Sequence, residues 1–406
     1  MVEKTDVCIV GAGPAGSTAA KFLSEKGLNV ILIDKEKFPR DKPCGGGLPY
    51  QVIKRFDYVD NEIFIDSYCY GGFAISPSSK YKLELHKKEP LVAMTLRKKF
   101  DYELVKLAIN EGTEFLDGKT VIDVNISKDK ATVVLKDGSR VDSDIVIGAD
   151  GIWSVIAQKA GLRKKGISIG ICVFEEYEVD EKTMDTYFGS RRLGYIHSQF
   201  NFTPGYGWVF PKKKHINIGI GYVHYSEQKT PDRKNLLDIY NQYITILKRD
   251  GMIPKRLKTG KCQGGALPVY PLEKTYSNRV ILVGDAAGFI NPLSGEGIYY
   301  AMVSGEIAAN TIAKCYEKND FSDRFLSKYQ KSWKKDFGKD IKTFKGFSKY
   351  YKATEDETIF RLASKDQKLT ELLAGILIGQ ISINENKWKI LRRFLCAYIK
   401  NRIKKS

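Results

Sequence analysis

A chain of 406 residues with 43% hydrophobic and 12% aromatic residues has material for two or three packed domains and reads as globular. Its formal net charge of +18 points to nucleic acid, an anionic membrane surface or a lysine-rich compositional bias, and no zinc-finger, helix-turn-helix or RNP-like pattern supports the first. Seven cysteines without C-x-x-C spacing and four dispersed histidines predict neither a disulfide framework nor a metal site. No apolar run reaches the roughly eighteen residues that a membrane span needs. No basic region with an apolar run and cleavage site precedes the first strand, so a cytoplasmic location is expected.

Residues 5–10 form a short β-rich run leading into Gly11-Ala12-Gly13-Pro14-Ala15-Gly16; residues 17–26 then read as a helix and 29–33 as the next strand. In such a βαβ unit Gly11 turns the chain, Gly13 lets backbone approach a pyrophosphate, and Gly16 lets helix and strand pack closely. Asp34 ends the second strand, where a carboxylate can accept from ribose hydroxyls and would repel a 2′-phosphate. The motif alone leaves FAD and NAD open. After Pro43 and Cys44 come Gly45, Gly46 and Gly47, which suit a loop whose backbone comes close to something flat. Cys44 itself is either a group at a reacting face or a small buried cysteine beside a turn. Arg97 opens a helix, as a ligand contact or as a solvated first-turn residue.

Residues 166–265 contain several strand-like runs, among them 167–174 and 216–223, and should form an antiparallel sheet. Within them, Tyr206, Trp208 and Phe210 alternate at a period of two, which places all three rings on one strand face as an apolar wall or as core packing. Lys212-Lys213-Lys214-His215 falls at the following hairpin turn, where solvation is a better reading than a diphosphate or head-group site. Residues 280–288 are a buried strand ending in Gly284-Asp285, and the chain runs on through Gly295 and Gly297 into a helix at Ile298. No second G-x-G-x-x-G follows a strand, so reducing equivalents must come from a transiently docked NAD(P)H or from a protein such as ferredoxin. From residue 387 to 406 the chain carries eight basic residues and no acidic one, with Trp388, Leu391, Leu395 and Ile399 at helical spacing. That stripe fits an anionic membrane surface or packing on the chain's own domain.

Four of these segments, in this order, resemble the p-hydroxybenzoate hydroxylase-like flavoproteins: the glycine motif, the R-x-x-F-D element at Arg97, Phe100 and Asp101, the D-G pair at Asp150 and Gly151, and the G-D pair at Gly284 and Asp285. The resemblance implies FAD, held by Gly11, Gly13, Ala15, Gly16, Asp34 and Arg97, with Val121 as a backbone contact to adenine. It also implies Asp285 on the ribityl chain, and Gly295, Gly297 and Ile298 at a helix N-terminus whose dipole stabilises charge near N1 and O2 of reduced flavin.

A narrower resemblance covers roughly residues 1–345. Tyr206, Trp208, Phe210, Pro211, Gly219 and Gly221 match the Y-x-W-x-F-P-x(7)-G-x-G signature, and residues 42–48 the K-x-C-G-G-G-L loop, of the geranylgeranyl reductase family, close to its archaeal digeranylgeranylglycerophospholipid reductases. The signature is often written with a proline three residues before the tyrosine; here Thr203 stands there and Pro204 follows. This implies saturation of isolated double bonds in isoprenoid chains, with Gly45, Gly46 and Gly47 at the flavin edge, Cys44 near the reacting face, and Tyr206, Trp208 and Phe210 lining a prenyl channel. An isolated alkene is not polarised, so hydride delivery needs a proton donor for the other carbon, with Cys44, Tyr206 or an ordered water as candidates. The substrate is expected to be a polyprenyl lipid or polyprenyl diphosphate.

The expected fold is α/β (α+β overall): a Rossmann-like FAD-binding domain from residues 1–70, 97–165 and 266–330, an inserted antiparallel-sheet substrate domain from 71–96 and 166–265, and a helical C-terminal region from 331–406. Two other functions share these elements. A flavin monooxygenase or halogenase would activate oxygen, although the W-x-W-x-I-P motif of halogenases is lacking; a non-enzymatic flavin-bearing protein would bind membrane or nucleic acid.

Overall fold

The structure is a computed structural model describing residues 2–163, 168–224, 233–257, 261–348, 353–377, 381 and 383–403. It has the mixed α/β architecture that the sequence predicts. The chain divides into two compact units of three segments each: Met1–Lys42, Arg97–Ser168 and Leu267–Lys342 in one, Pro43–Leu96, Ile169–Ala266 and Thr343–Ser406 in the other.

The first unit is built on an eight-stranded sheet in the order Tyr276–Ser277, Val280–Leu282, Arg140–Gly148, Val2–Val10, Val30–Ile33, Glu114–Leu116, with Val121–Ile126 and Ala131–Leu135 as an antiparallel extension on Arg140–Gly148. Val2–Val10 runs parallel to both neighbours, and its second half is fully enclosed, which is why residues 7–10 read as an unbroken apolar run. The strand ends at the glycine turn, and Pro14 opens the helix Pro14–Ser24 in the first turn, where its missing N–H costs nothing. The long helix Ile298–Lys318 lies against this helix so closely that a Cβ on Gly305 would clash with the carbonyl of Ala15.

The second unit carries a seven-stranded sheet in the order Gln263–Pro268, Ile169–Glu178, His215–His224, Gly205–Pro211, Gly194–Ser198, Gly71–Ile75, Lys82–His86. Gly194–Ser198 runs parallel to Gly71–Ile75, whereas Ile169–Glu178, His215–His224, Gly205–Pro211 and Gly194–Ser198 pair antiparallel in succession. One sheet face is a conventional core: Val209, Ile216, Ile218 and Ile220 pack with Tyr240 and Tyr243 of the helix Arg233–Arg249. A small three-stranded sheet of Gly47–Pro49, Val92–Met94 and Ser67–Cys69 holds the end of the glycine loop. The helices Ala353–Ala363, Gln367–Leu377 and Ile383–Ile403 complete the unit, with Phe360, Leu369 and Ala397 sharing a core with Leu83 of the sheet. Among the described residues no helix is long and apolar enough to cross a membrane.

Candidate cofactor cradle and aromatic wall

In the first unit the glycine turn has the geometry a pyrophosphate requires. Gly11 sits at φ +103°, and a Cβ there would clash with the backbone of Ala149; a Cβ on Gly16 would clash with the carbonyl of Gly11. Gly13 is the open position, since a Cβ there would meet nothing nearer than Arg40 Nη2 at 3.9 Å. Ala15 packs against Gly284 and Gly305. Asp34 is pinned, with Oδ2 accepting from Ala12 N–H at 2.8 Å and Oδ1 from Glu36 N–H at 2.9 Å, which leaves lone pairs on both oxygens for further donors. The segment leading to Val121 is tied to the same place, because Lys119 N–H donates to the carbonyl of Asp34 at 2.8 Å.

Three cations gather beside this turn, and sequence reasoning singled out only one. Arg97 gives Nε and Nη2 to the two oxygens of the fully buried Asp101, both at 2.7 Å, and Arg40 Nη2 lies 3.0 Å from the same carboxylate. The R-x-x-F-D spacing is thus a bidentate pair one helical turn apart. Arg40 Nη1 is buried with no hydrogen-bond partner among the described residues. Burial pushes the Lys42 ammonium below its usual range, reinforced by Arg97 and Arg40 and opposed by Asp285 and Asp101. Two arginines and a lysine facing the carboxylates of Asp101 and Asp285, a buried guanidinium nitrogen without a hydrogen-bond partner among the described residues and an open glycine fit a diphosphate ester, which FAD supplies.

At the other end of this cradle, Asp285 follows Gly284 at φ +55° in a short helix, and a Cβ on Gly297 would lie 3.6 Å from Asp285 Oδ1. Burial raises the Asp285 carboxyl, with Lys42, Arg97 and Arg163 opposing the rise. Gly295 adopts φ +68°, and Gly297 caps the helix that begins at Ile298. Glu296, which sequence reasoning passed over, accepts from Tyr299 N–H at 2.7 Å, and burial pushes its carboxyl up to about 7. Asp150 of the D-G pair serves the backbone, because its Oδ2 accepts from Val155 N–H at 2.7 Å at the start of the helix Val155–Lys159.

In the second unit the aromatic strand Gly205–Pro211 presents Tyr206, Trp208 and Phe210 on one face, with ring centroids 5.7 Å and 6.1 Å apart. The register explains the signature's spacing. Tyr206 pairs with Gly221, Trp208 with Gly219 and Phe210 with Asn217 across the hairpin; on the next strand Cys172 pairs with Gly221, Phe174 with Gly219 and Glu176 with Asn217. Tyr206 and Trp208 therefore lie across glycine gaps. A Cβ on Gly219 would clash with the indole of Trp208 and stand 2.6 Å from Phe174 Cβ. The indole N–H is satisfied within the wall, donating to Asn217 Oδ1 at 2.7 Å, so an apolar ring plane remains.

The glycine loop packs on this wall. A Cβ on Gly45 would come within 2.8 Å of the Phe210 ring, and Gly46, at φ +75°, has its Cβ position blocked by the Thr95 carbonyl. Gly47 enters a strand opposite Met94. Cys44 is half-buried; its Sγ accepts from Gly46 N–H at 3.3 Å and its carbonyl accepts from Asn217 Nδ2 at 3.3 Å. Asn217 Nδ2 also donates to Glu176 Oε2 at 2.8 Å, and the same oxygen receives Lys212 Nζ at 2.8 Å. Lys212 is only 1% exposed. The expectation that the turn lysines are solvated holds for Lys213 and Lys214, which are exposed, and fails for Lys212, whose counter-charge comes from a neighbouring strand.

Residues 4–335 match the FAD binding domain family. In sequence the chain is similar to the digeranylgeranylglycerophospholipid reductases of Methanocaldococcus jannaschii, with 31% identity covering 91% of this chain and 92% of that one, and of Methanococcus aeolicus, with 29% identity covering 90% and 92%. In fold it is similar to a geranylgeranyl bacteriochlorophyll reductase-like protein from Thermoplasma acidophilum, at a TM-score of 0.80 and 24% identity over 95% of this chain and 99% of that one. A flavin-dependent brominase shares the fold at a TM-score of 0.72 and 23% identity, covering 99% and 100%. The cradle, the family match and these relatives lead to one conclusion: the chain is an FAD-dependent oxidoreductase of the geranylgeranyl reductase family.

Proposed function

We propose that the protein saturates isolated C=C bonds in the geranylgeranyl chains of a polyprenyl lipid or its diphosphate precursor. The observation that carries this reading is the lattice of rings over glycine gaps, an apolar surface without an unsatisfied polar group on its indole and suited to a prenyl chain. Relatives named digeranylgeranylglycerophospholipid reductase support the substrate class.

Bound FAD, once reduced, supplies a hydride equivalent. Gly11, Gly13 and Gly16 bring backbone to its pyrophosphate, Arg40, Arg97 and Lys42 balance its charge, and Asp34, Val121, Asp285, Gly295, Gly297 and Ile298 are assigned to its remaining parts. Tyr206, Trp208 and Phe210 hold the prenyl chain and keep water from the alkene. Saturation adds a hydride to one alkene carbon and a proton to the other, and the Cys44 thiol donates that proton, with the Tyr206 hydroxyl as the second candidate. Asn217 fixes the Cys44 backbone and so the position of its sulfur. The physiological reductant is NAD(P)H or a ferredoxin, and the protein acts in the cytoplasm at the inner membrane face without nucleic acid.

Mass spectrometry of polyprenyl glycerolipids and polyprenyl diphosphates, after incubation with dithionite-reduced enzyme, tests the reaction: each double bond reduced adds two hydrogens. Products that gain oxygen would assign the protein to the monooxygenases. Cys44→Ala should slow single-turnover reduction by roughly a hundredfold or more; a wild-type rate would leave Cys44 a packing residue.

A further inference from the structure

The C-terminal helix Ile383–Ile403 has two apolar stripes, and its own domain uses one. On the inner side Ala397 is buried and Phe394 packs beside it against the core of Leu83, Phe360 and Leu369. Arg393 anchors the same side, with Nε 2.9 Å from Asp366 Oδ1 and Nη2 2.6 Å from Oδ2. Trp388, Leu391, Leu395 and Ile399, spaced i, i+3, i+7 and i+11, are the other stripe, and they are 72%, 58%, 58% and 47% exposed. The stripe that sequence periodicity singles out is therefore the one left on the surface, while a different stripe attaches the helix.

Charge identifies what covers it. Exposed Arg392 and Lys389, with exposed Glu385 between them, border the stripe on one side and exposed Lys387 on the other, and residues 387–406 contain eight basic residues with no acid among them. A second copy of this chain would set like charges against each other, whereas an anionic bilayer offers acyl chains to the stripe and acidic head groups to its borders. We infer that this helix lies in the interface of an anionic membrane, with Trp388 at head-group level and Leu391, Leu395 and Ile399 entering the acyl boundary. The inference rests on the proposed lipid-reductase reading only for the reason that a membrane is near; the surface itself is independent of the reaction.

Flotation of the full, FAD-loaded chain with vesicles of mixed phosphatidylglycerol and phosphatidylcholine, and with phosphatidylcholine alone, tests this. The protein should float with the anionic vesicles and stay behind with the neutral ones. A Trp388→Ser, Leu391→Ser, Leu395→Ser triple variant, and separately a Lys389→Glu, Arg392→Glu variant, should each bind about tenfold more weakly or worse with unchanged circular dichroism. Failure of the wild type to float with anionic vesicles, or flotation of the triple variant like the wild type, overturns the inference. So does a dimer in sedimentation that the triple variant dissociates, since the stripe would then be covered by a second copy. Turnover of detergent-dispersed prenyl lipid, which the tail variants should retain, separates the two readings: an inactive wild type refutes the reaction and leaves the flotation result to decide the surface.

Discussion

Asn217 joins the aromatic wall to the glycine loop through one amide. It accepts from the Trp208 indole and donates to Glu176 and to the carbonyl of Cys44. Asn217→Leu leaves a buried indole N–H and a carboxylate oxygen short of partners and should cost about 2–4 kcal/mol on urea unfolding, with a change in tryptophan emission. Glu176→Gln removes the counter-charge of the enclosed Lys212 ammonium and should cost about 3–5 kcal/mol, whereas adding Lys212→Met to it should recover most of the loss. Equal stability of the single and double variants would contradict this account. Glu296 carries a pH dependence of definite sign. Its carboxyl rises from an ordinary 4.5 to about 7 on folding, so the folded state holds the proton more tightly. That contribution is complete below about pH 4.5 and disappears as the pH rises through about 7. Urea unfolding between about pH 5 and pH 8 should show wild type losing stability relative to Glu296→Gln, which has no such proton to lose.

At the scale of elements, the hairpin of Gly205–Pro211 and His215–His224 is a matching device in which Tyr206 and Trp208 are set opposite glycine gaps and Phe210 opposite Asn217. Gly219→Ala should therefore cost about 1–3 kcal/mol and displace Trp208. Gly221→Ala is the control, because a Cβ there would stand 3.7 Å from Trp208 in ordinary contact, and calorimetry should find it within about 1 kcal/mol of wild type. Much of this hairpin was readable from the chain: the period of two placed the rings on one face, and the glycines and the turn fell where the signature put them. What escaped was everything decided by pairing between strands. Lys212 reads as one of three turn lysines, and its partner Glu176 is 36 residues away, adjacent only through the register of Ile169–Glu178 on His215–His224. Arg40 likewise has no motif of its own, since it acts through Asp101 on another segment. The C-terminal helix was legible as amphipathic, but a helix with two apolar stripes gives one periodicity to the sequence, and only packing tells which stripe is used.

Across the whole molecule, each compact unit returns to its sheet from three separate stretches of chain, so the cofactor cradle is assembled from residues that are distant in sequence. FAD that binds this cradle and not the unfolded chain should stabilise it by mass action. Free FAD at a hundred times its dissociation constant should add about 2.7 kcal/mol, seen as a higher thermal transition in calorimetry than for the apoprotein. Arg40→Ala should weaken FAD binding by about tenfold or more and shrink that shift in proportion, measured by fluorescence titration, because it removes a buried nitrogen that has no hydrogen-bond partner among the described residues.

The pairing of Trp208 with Gly219 turns the seven-residue spacing of the signature into a length rule. Because side chains alternate sides, one residue gained or lost between the two strands without a compensating bulge would slip one strand by a residue against the other and put Gly219 and Gly221 on the sheet face opposite the rings. Substitutions among the intervening seven are thus a matter of degree, and a change in their number is a matter of parity. Related chains should vary freely in which residues fill that interval long before they vary in how many.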